Sequence, residues 1–147
     1  MLGSPETPRC RILIVEDDPM VLELITTRLE LAGYQTFAAR DGYQGLERLV
    51  EVRPAAMVLD INMPRLDGFC VLRKMKETGQ VLRVPVMVLT ARNHGGDVQT
   101  AIQLGARDFL SKPFEDQQLL ARVARLVRRT PVRPAPPPPP DPSVLEL

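Results

Sequence analysis

The sequence predicts an α/β domain with a doubly wound, five-stranded parallel sheet and helices on both faces. Short apolar runs, typical of buried parallel strands, alternate five times with segments of helical period. Repeated strand–helix units of this kind form parallel sheets covered on both sides. The chain has 147 residues and is 44% hydrophobic but only 4% aromatic, which suits one such domain with an aliphatic core.

Five segments have the composition of strands, and they lie at residues 12–15, 36–39, 57–59, 86–89 and 108–110. The second is the least apolar, so we expect it near an edge of the sheet. The third stops at Asp60, and Asn62, Pro64, Asp67 and Gly68 then predict a loop before the next helix.

A helical pattern follows each strand. Asp18 and Pro19 provide an N-cap and a first-turn proline for the first helix, and Gly33 ends it. The second helix should end before Pro54 and the fourth at Gly105. Apolar side chains recur on one face of each helix at Leu22, Ile25 and Leu29; at Leu46, Leu49 and Val50; at Leu66, Phe69 and Leu72; at Val98, Ala101 and Ile102; and at Leu119, Val123 and Leu126.

Composition excludes several classes of function. The net charge of +1 gives no field suited to nucleic acid or a membrane surface. His94 is the single histidine, which leaves no His/Cys cluster for zinc. Cys10 and Cys70 are interpreted as buried, reduced thiols. Since neither a signal peptide nor an apolar run of about 20 residues occurs, we expect a cytoplasmic protein without a membrane segment.

The two ends of the chain differ from the middle. Residues 1–9 are expected to be disordered, and residues 10–130 form the predicted domain. Eight of the thirteen residues from 130 to 142 are proline. Such a segment favours an extended conformation, so residues 131–147 are interpreted as a linker or tail. A recognition peptide for a proline-binding domain is the alternative.

Polar side chains follow the predicted strands where ligands collect in parallel sheets. Glu16 and Asp17 follow the first strand, Asp60 ends the third, Thr90 follows the fourth, and Lys112 follows the fifth. Crowded carboxylates repel one another but are tolerated around a hard cation, and Mg²⁺ prefers oxygen ligands. Metal, ammonium and hydroxyl groups together suit phosphoryl transfer onto Asp60.

These motifs lie at residues 12–18, 58–68, 89–91 and 111–114. In order and spacing they resemble those of a response-regulator receiver domain over about residues 10–130. The resemblance implies a flavodoxin-like strand order, 2-1-3-4-5, and a cis bond between Lys112 and Pro113. It also implies that the domain accepts a phosphoryl group from a sensor histidine kinase and loses it slowly. It would then not be a turnover enzyme.

The resemblance assigns roles to individual residues. Asp60 is the phosphoacceptor, and Thr90 and Lys112 contact the phosphoryl group. The Mg²⁺ ligands are Asp17 directly, Glu16 mainly through water, Asp60 and the Asn62 carbonyl. Thr90 and Phe109 are the switch residues, the latter turning on activation.

The last helix resembles that of OmpR/PhoB-type receivers, which pair through the fourth helix, fifth strand and fifth helix. Asp108 and Arg122 match one cross-subunit ion pair, so a phosphorylation-dependent homodimer is predicted. Arg107 and Gln118 depart from the pattern, standing where acids are common. DNA binding would need an output domain that this sequence does not contain.

Several residues have simpler interpretations. Asp18 is favoured as a helix N-cap rather than a metal ligand. Thr90 alone would be read as a strand residue, and Phe109 is partly a core residue in either interpretation. The cations near the end of the last helix suit its dipole better than they suit nucleic acid; they are Arg125, Arg128 and Arg129.

Three other classes of function fit the sequence less well. A flavodoxin-like cofactor binder would need Gly, Ser or Thr where Glu16 and Asp17 stand. A phosphatase with an aspartyl nucleophile would need an acid where Asn62 stands. An unphosphorylated receiver-like scaffold is the main alternative, and a missing acid, Thr or Lys would have favoured it.

Overall fold

The computed structural model describes residues 10–91 and 95–128, and within them it contains the predicted parallel sheet. The predictions for residues 1–9, for Arg129 and for the segment 131–147 lie outside the described residues. The strands are β1 (Arg11–Val15), β2 (Gln35–Ala39), β3 (Ala56–Asp60), β4 (Val86–Ala91) and β5 (Asp108–Lys112). The helices are α1 (Pro19–Leu31), α2 (Gly42–Val52), α3 (Gly68–Glu77), α4 (Gln80–Arg83), α5 (Gly95–Gln103) and α6 (Asp116–Arg128).

The strand order is β2-β1-β3-β4-β5, and all neighbouring pairs are parallel, which confirms the predicted topology. The weaker strand β2 lies at an edge, as predicted. The register sets Asp60 opposite Leu89 and Thr90 opposite Ser111. The carboxyl ends of β1, β3, β4 and β5 therefore meet along one edge of the sheet.

Alternate residues of the central strands pack into two separate cores. Along β1, Leu13 and Val15 join the core beneath α2 and α3, while Ile12 and Ile14 join the core beneath α1 and α6. All four side chains are fully buried. Burial on both faces explains why the inner strands are continuous apolar runs, since a strand with one wet face would alternate.

The loop after β3 is held close to the sheet by a glycine. A Cβ atom on Gly68 would lie 2.6 Å from the carbonyl oxygen of Asp60 and 2.7 Å from the Cα of Ile61, so a side chain cannot fit there. Next to it, Asp67 caps α3 by accepting a hydrogen bond of 2.9 Å from the Cys70 N–H. These contacts fix the path of the chain just beyond Asp60.

Cys10 and Cys70 are only partly buried, whereas both were expected to be buried. Four further details differ from the predictions. Leu66 is buried but lies before α3, because the cap at Asp67 starts the helix later. Val50 and Ile102 were expected on core-facing sides but are 66% and 51% exposed. The short helix α4 was not predicted, because four residues are too few to show a period. As a result the predicted fourth and fifth helices are α5 and α6.

None of the helices in the described ranges has the length and apolarity that a membrane span requires.

Candidate functional site

Three carboxylates meet at the carboxyl edge of the sheet. Asp60 is the last residue of β3, and Glu16 and Asp17 directly follow β1. One carboxylate oxygen from each lies within 4.8 Å of the other two. Glu16 is 0% exposed and Asp60 2% exposed, so two of the three charges are removed from water. This is the cluster that the strand ends predicted.

Lys112 reaches into the cluster from the end of β5. Its Nζ lies 2.9 Å from Oε1 of Glu16 and 3.5 Å from Oδ1 of Asp60, so one ammonium group bridges the two buried acids. The following peptide bond, between Lys112 and Pro113, is cis, as the resemblance to receiver domains implied. The predicted proximity of Lys112 to Asp60 is thus present in the structure.

The three acids between β1 and α1 have different roles. Asp18 caps α1, since its Oδ1 accepts a hydrogen bond of 2.9 Å from the Met20 N–H. The Asp18 N–H donates in turn to Oε2 of Glu16 at 3.0 Å. Asp18 is therefore used as a cap, as favoured from the sequence, while Glu16 and Asp17 contribute to the cluster.

The environment of Asp60 favours its protonated form. Burial, and to a lesser extent the charge of Glu16, raise the pKa of Asp60 from 3.8 to about 7 overall. The charge of Lys112 and the hydrogen bond from the Asn62 N–H oppose this shift but do not cancel it. A carboxylate that needs a further cation to stay ionised near neutrality is what a metal-assisted site requires.

The pKa of Lys112 shifts in the direction opposite to that expected for an amine that is only buried. Burial lowers its pKa, but its interactions with Glu16 and Asp60 outweigh burial, so the pKa of Lys112 is raised overall. The ammonium group is therefore charged over the physiological range, and it supplies a fixed positive charge beside Asp60.

Asn62 and Thr90 lie close to Asp60 along the chain and across the sheet. The Asn62 N–H donates to Oδ1 of Asp60 at 3.2 Å, while its side chain is exposed. Thr90 is buried and stands one residue beyond Leu89, the partner of Asp60 in the sheet register. These positions are compatible with the predicted roles of the Asn62 carbonyl and the Thr90 hydroxyl, which stay predictions.

Asp108 and Phe109 of β5 form a second cluster with Arg122 and Arg125 of α6. Oδ1 of Asp108 accepts hydrogen bonds from Arg122 Nη1 and from the Phe109 N–H, both at 2.8 Å. Oδ2 accepts from Arg125 Nη2 at 2.9 Å. The guanidinium of Arg122 also lies 5.7 Å from the centre of the half-buried Phe109 ring. In the single chain, Asp108 and Arg122 are thus paired with each other within one molecule.

Burial tends to raise the pKa of Asp108, but the hydrogen bonds from Arg125 and the Phe109 N–H, with the charges of Arg122 and Arg125, lower it overall. The resemblance to OmpR/PhoB-type receivers identified Arg122 but not Arg125. Arg125 lies one helical turn before Arg128, and the sequence predicts it only as part of a basic helix end, since spacing alone does not show that a cation reaches β5.

A second residue that the sequence did not single out is Arg40, at the end of β2. Its Nε and Nη2 both donate to the carbonyl oxygen of Asp17 at 3.3 Å. No motif predicted this contact, because it joins loops 23 residues apart through a long and exposed side chain.

The donor set fits a hard divalent cation such as Mg²⁺. All the candidate ligands are oxygens, and Glu16, Asp17 and Asp60 are spaced closely enough to share one ion directly or through water. Oε1 of Glu16 is buried and has an ion-pair distance to Lys112 but no aligned hydrogen bond. Such an acceptor can take a hydrogen bond from a metal-bound water.

The fold and the site together define a doubly wound α/β protein with a carboxylate–lysine centre at the carboxyl ends of its strands. Residues 12–124 match the family model described as response regulator receiver domain. The chain therefore belongs to the response-regulator receiver family, as its motifs indicated.

Curated relatives and solved structures agree with this assignment. The chain is 45% identical to the response regulator MprA of Mycobacterium ulcerans over 120 residues, which are 82% of this chain and 51% of MprA. It is 39% identical to the DNA-binding dual master transcriptional regulator RpaA of Synechocystis sp. over 120 residues, which are 82% of this chain and 50% of RpaA. The chain thus spans about half the length of these relatives.

Two solved structures show the same fold. The chemotaxis protein CheY4 of Vibrio cholerae superposes with a TM-score of 0.76 at 27% identity, over 81% of this chain and 99% of CheY4. The signal receiver domain of a signal transduction histidine kinase from Syntrophus aciditrophicus gives a TM-score of 0.77 at 34% identity, over 86% of this chain and 96% of that one.

Proposed function

We propose that this receiver domain accepts a phosphoryl group on Asp60 from a sensor histidine kinase, with Mg²⁺ as the cofactor. The observation that carries the proposal is the position of Asp60, which is buried among Glu16, Asp17 and Lys112 at the strand ends. A carboxylate with a raised pKa beside a fixed ammonium is poised for use once a cation joins the cluster.

The transfer itself requires little covalent chemistry from the protein. One oxygen of Asp60 attacks phosphorus, an acyl phosphate forms, and the donor's leaving group departs with the electron pair of the broken bond. Bound Mg²⁺ would neutralise charge on the phosphoryl oxygens, held by Asp17, Asp60, the Asn62 carbonyl and, through water, Glu16. Lys112 and the Thr90 hydroxyl would contact the remaining phosphoryl oxygens.

The site supports a slow loss of the phosphoryl group rather than rapid turnover. A general acid or base for hydrolysis would be expected near the phosphoacceptor, and the residue two positions beyond Asp60 is Asn62, which cannot transfer a proton in that way. We therefore propose a phosphoacceptor with slow self-dephosphorylation and not a hydrolytic enzyme.

The proposed output is a change at the surface of α5, β5 and α6. Thr90 would move toward the phosphorylated Asp60, Phe109 would turn inward, and the Arg122 contact on its ring would be lost. This would favour a homodimer of the OmpR/PhoB type. The name of the relative RpaA, a DNA-binding transcriptional regulator, supports transcriptional control that is exerted on DNA through an output domain outside the described residues. We propose the cytoplasm as the place where this happens.

Phosphorylation is tested with Mg²⁺ and acetyl phosphate, followed by mass spectrometry of the intact protein and its peptides. We expect one added phosphoryl group on Asp60, none without Mg²⁺, and none on Asp60→Asn. Asp18→Asn is the matched control, because asparagine caps a helix as well as aspartate and Asp18 lies outside the cluster. Label that persists on Asp60→Asn would contradict the assignment. A folded wild type that binds no Mg²⁺ and takes no label would favour the scaffold alternative.

A further inference from the structure

The carboxylate cluster is flanked by two cations that act on different acids. Lys112 bridges the buried pair Glu16 and Asp60, and it makes no ion pair with Asp17 among the described contacts. Asp17 is the partly exposed member of the three. The basic group that contacts Asp17 is Arg40, and it binds the main chain rather than the carboxylate.

The contact by Arg40 is made with two nitrogens on one oxygen. Nε and Nη2 each lie 3.3 Å from the Asp17 carbonyl oxygen, an arrangement that lysine cannot reproduce with its single nitrogen. The peptide that follows Asp17 is also held on its other side, since the Asp18 N–H donates to Glu16. Together these bonds fix the main chain from which the Asp17 carboxylate projects.

Arg40 is itself anchored to the start of α2. Its N–H donates to Oε1 of Gln44 at 2.8 Å, and the Gln44 N–H donates to Oδ1 of Asp41 at 2.9 Å. Asp41 is 8% exposed, and its Oδ2 lies 3.5 Å from Arg65 in the loop after β3. The base of the Arg40 side chain is therefore fixed, although its guanidinium is exposed.

We propose that Arg40 is a positioning residue for the metal ligand Asp17, acting by holding the Asp17 carbonyl so that the carboxylate faces Glu16 and Asp60. The inference rests on the proposed function, since it concerns the same Mg²⁺ site. Partners that orient a ligand commonly change metal affinity by about 10- to 100-fold, and for this exposed contact we expect about tenfold.

A role through charge and a role through positioning predict different changes in Mg²⁺ affinity when Arg40 is replaced. If Arg40 acted only through its charge, removing the cation near a dication site would strengthen Mg²⁺ binding. If it positions Asp17, both Arg40→Gln and Arg40→Lys weaken binding, the second with the charge kept. The sign of the change in affinity therefore separates the two roles without reference to phosphorylation.

Isothermal titration calorimetry with Mg²⁺ on the wild type, Arg40→Lys, Arg40→Gln and the control Arg83→Lys tests this inference. Arg83 is exposed on α4, just before β4 begins, at the opposite end of the strands. We expect both Arg40 variants to bind Mg²⁺ about tenfold more weakly and the control to bind normally. Saturating Mg²⁺ should restore the rate of phosphorylation by acetyl phosphate in both Arg40 variants.

Unchanged or tighter binding in Arg40→Lys would overturn the positioning role. A phosphorylation rate that excess Mg²⁺ does not restore would overturn it as well. Thermal unfolding in EDTA, followed by circular dichroism, guards against a folding defect, and we expect equal midpoints for the wild type and both variants. A wild type without measurable Mg²⁺ binding would instead refute the proposed function, so the two failures are distinguishable.

Discussion

Asp60→Asn should stabilise the metal-free protein, and the gain should grow with pH. In the wild type the pKa of Asp60 is raised by burial and by Glu16 to about 7. The unfolded chain therefore binds fewer protons at this group than the folded chain does between pH 3.8 and pH 7. The contribution of Asp60 to the free energy of unfolding falls as the pH rises through that window, and it stays low above it.

The size of the effect follows from the shift in pKa. A rise of about three pKa units corresponds to about 4 kcal/mol at high pH, at about 1.4 kcal/mol per unit. Because relaxation of the surrounding loops and water penetration reduce the cost of a buried charge, we take about half of this value. Asp60→Asn should then raise the free energy of unfolding by about 2 kcal/mol at pH 8 and by about 1 kcal/mol at pH 5.

The measurement is urea unfolding in EDTA at the two pH values, followed by circular dichroism because the chain has no tryptophan. Glu47→Gln, which removes an exposed carboxylate on α2, is the matched control and should change little at either pH. Adding Mg²⁺ should shrink the difference at pH 8, because the metal stabilises the wild type. A gain that is equal at pH 5 and pH 8, or a loss at pH 8, would refute the reasoning.

Three further predictions follow from the two clusters. Asp17→Ala should abolish Mg²⁺ binding measured by calorimetry, since a charged ligand is lost, and an affinity equal to that of the wild type would remove Asp17 from the site. Asp108→Asn should cost about 2 kcal/mol at pH 7, because a buried acceptor for two arginines is weakened. Because the pKa of Asp108 is lowered, this stabilisation is present above the ordinary carboxyl pKa and disappears on acidification. Urea unfolding should therefore show a smaller loss of stability in Asp108→Asn at pH 3 than at pH 7, and an equal loss at both would contradict the argument. Beryllofluoride, a mimic of the phosphoryl group, should raise the mass measured by light scattering for the wild type and for the exposed control Arg107→Gln but not for Arg122→Gln. Equal dimerisation of all three proteins would place the contact on another surface.

The parallel sheet and the central acids could be predicted because both depend on local patterns, whereas the strand order followed from the resemblance to receiver domains. The runs ending at Val15, Asp60 and Thr90 are apolar on both faces, and parallel topology then brings their ends together. Asp18 could be assigned as a cap because Pro19 follows it and because the acidic pair of the family motif falls on Glu16 and Asp17. The position of Leu66 could not, because helical spacing from Phe69 and Leu72 continues through the loop that Asp67 interrupts.

The contacts of the long cations could not be predicted from the sequence. The side chains of Arg40 and Arg125 are long enough to reach several acceptors, and sequence spacing does not show which acceptor each one contacts. In the structure Arg40 donates to a carbonyl 23 residues away and Arg125 to a carboxylate 17 residues away. Motifs identify groups whose position the backbone dictates, whereas these contacts depend on how the loops and helices finally pack.

The intrachain pairing of Asp108 changes how a dimer of this chain should be understood. Both carboxylate oxygens already have partners, and Arg122 is bound at once to Asp108 and to the carbonyl oxygen of Phe109, the latter at 3.0 Å. A cross-subunit pair would therefore exchange one ion pair for another and gain little by itself. Its advantage would come from Phe109, because an inward turn of the ring removes one of the contacts that keeps Arg122 within its own chain. On this argument, phosphorylation would favour association by releasing Arg122.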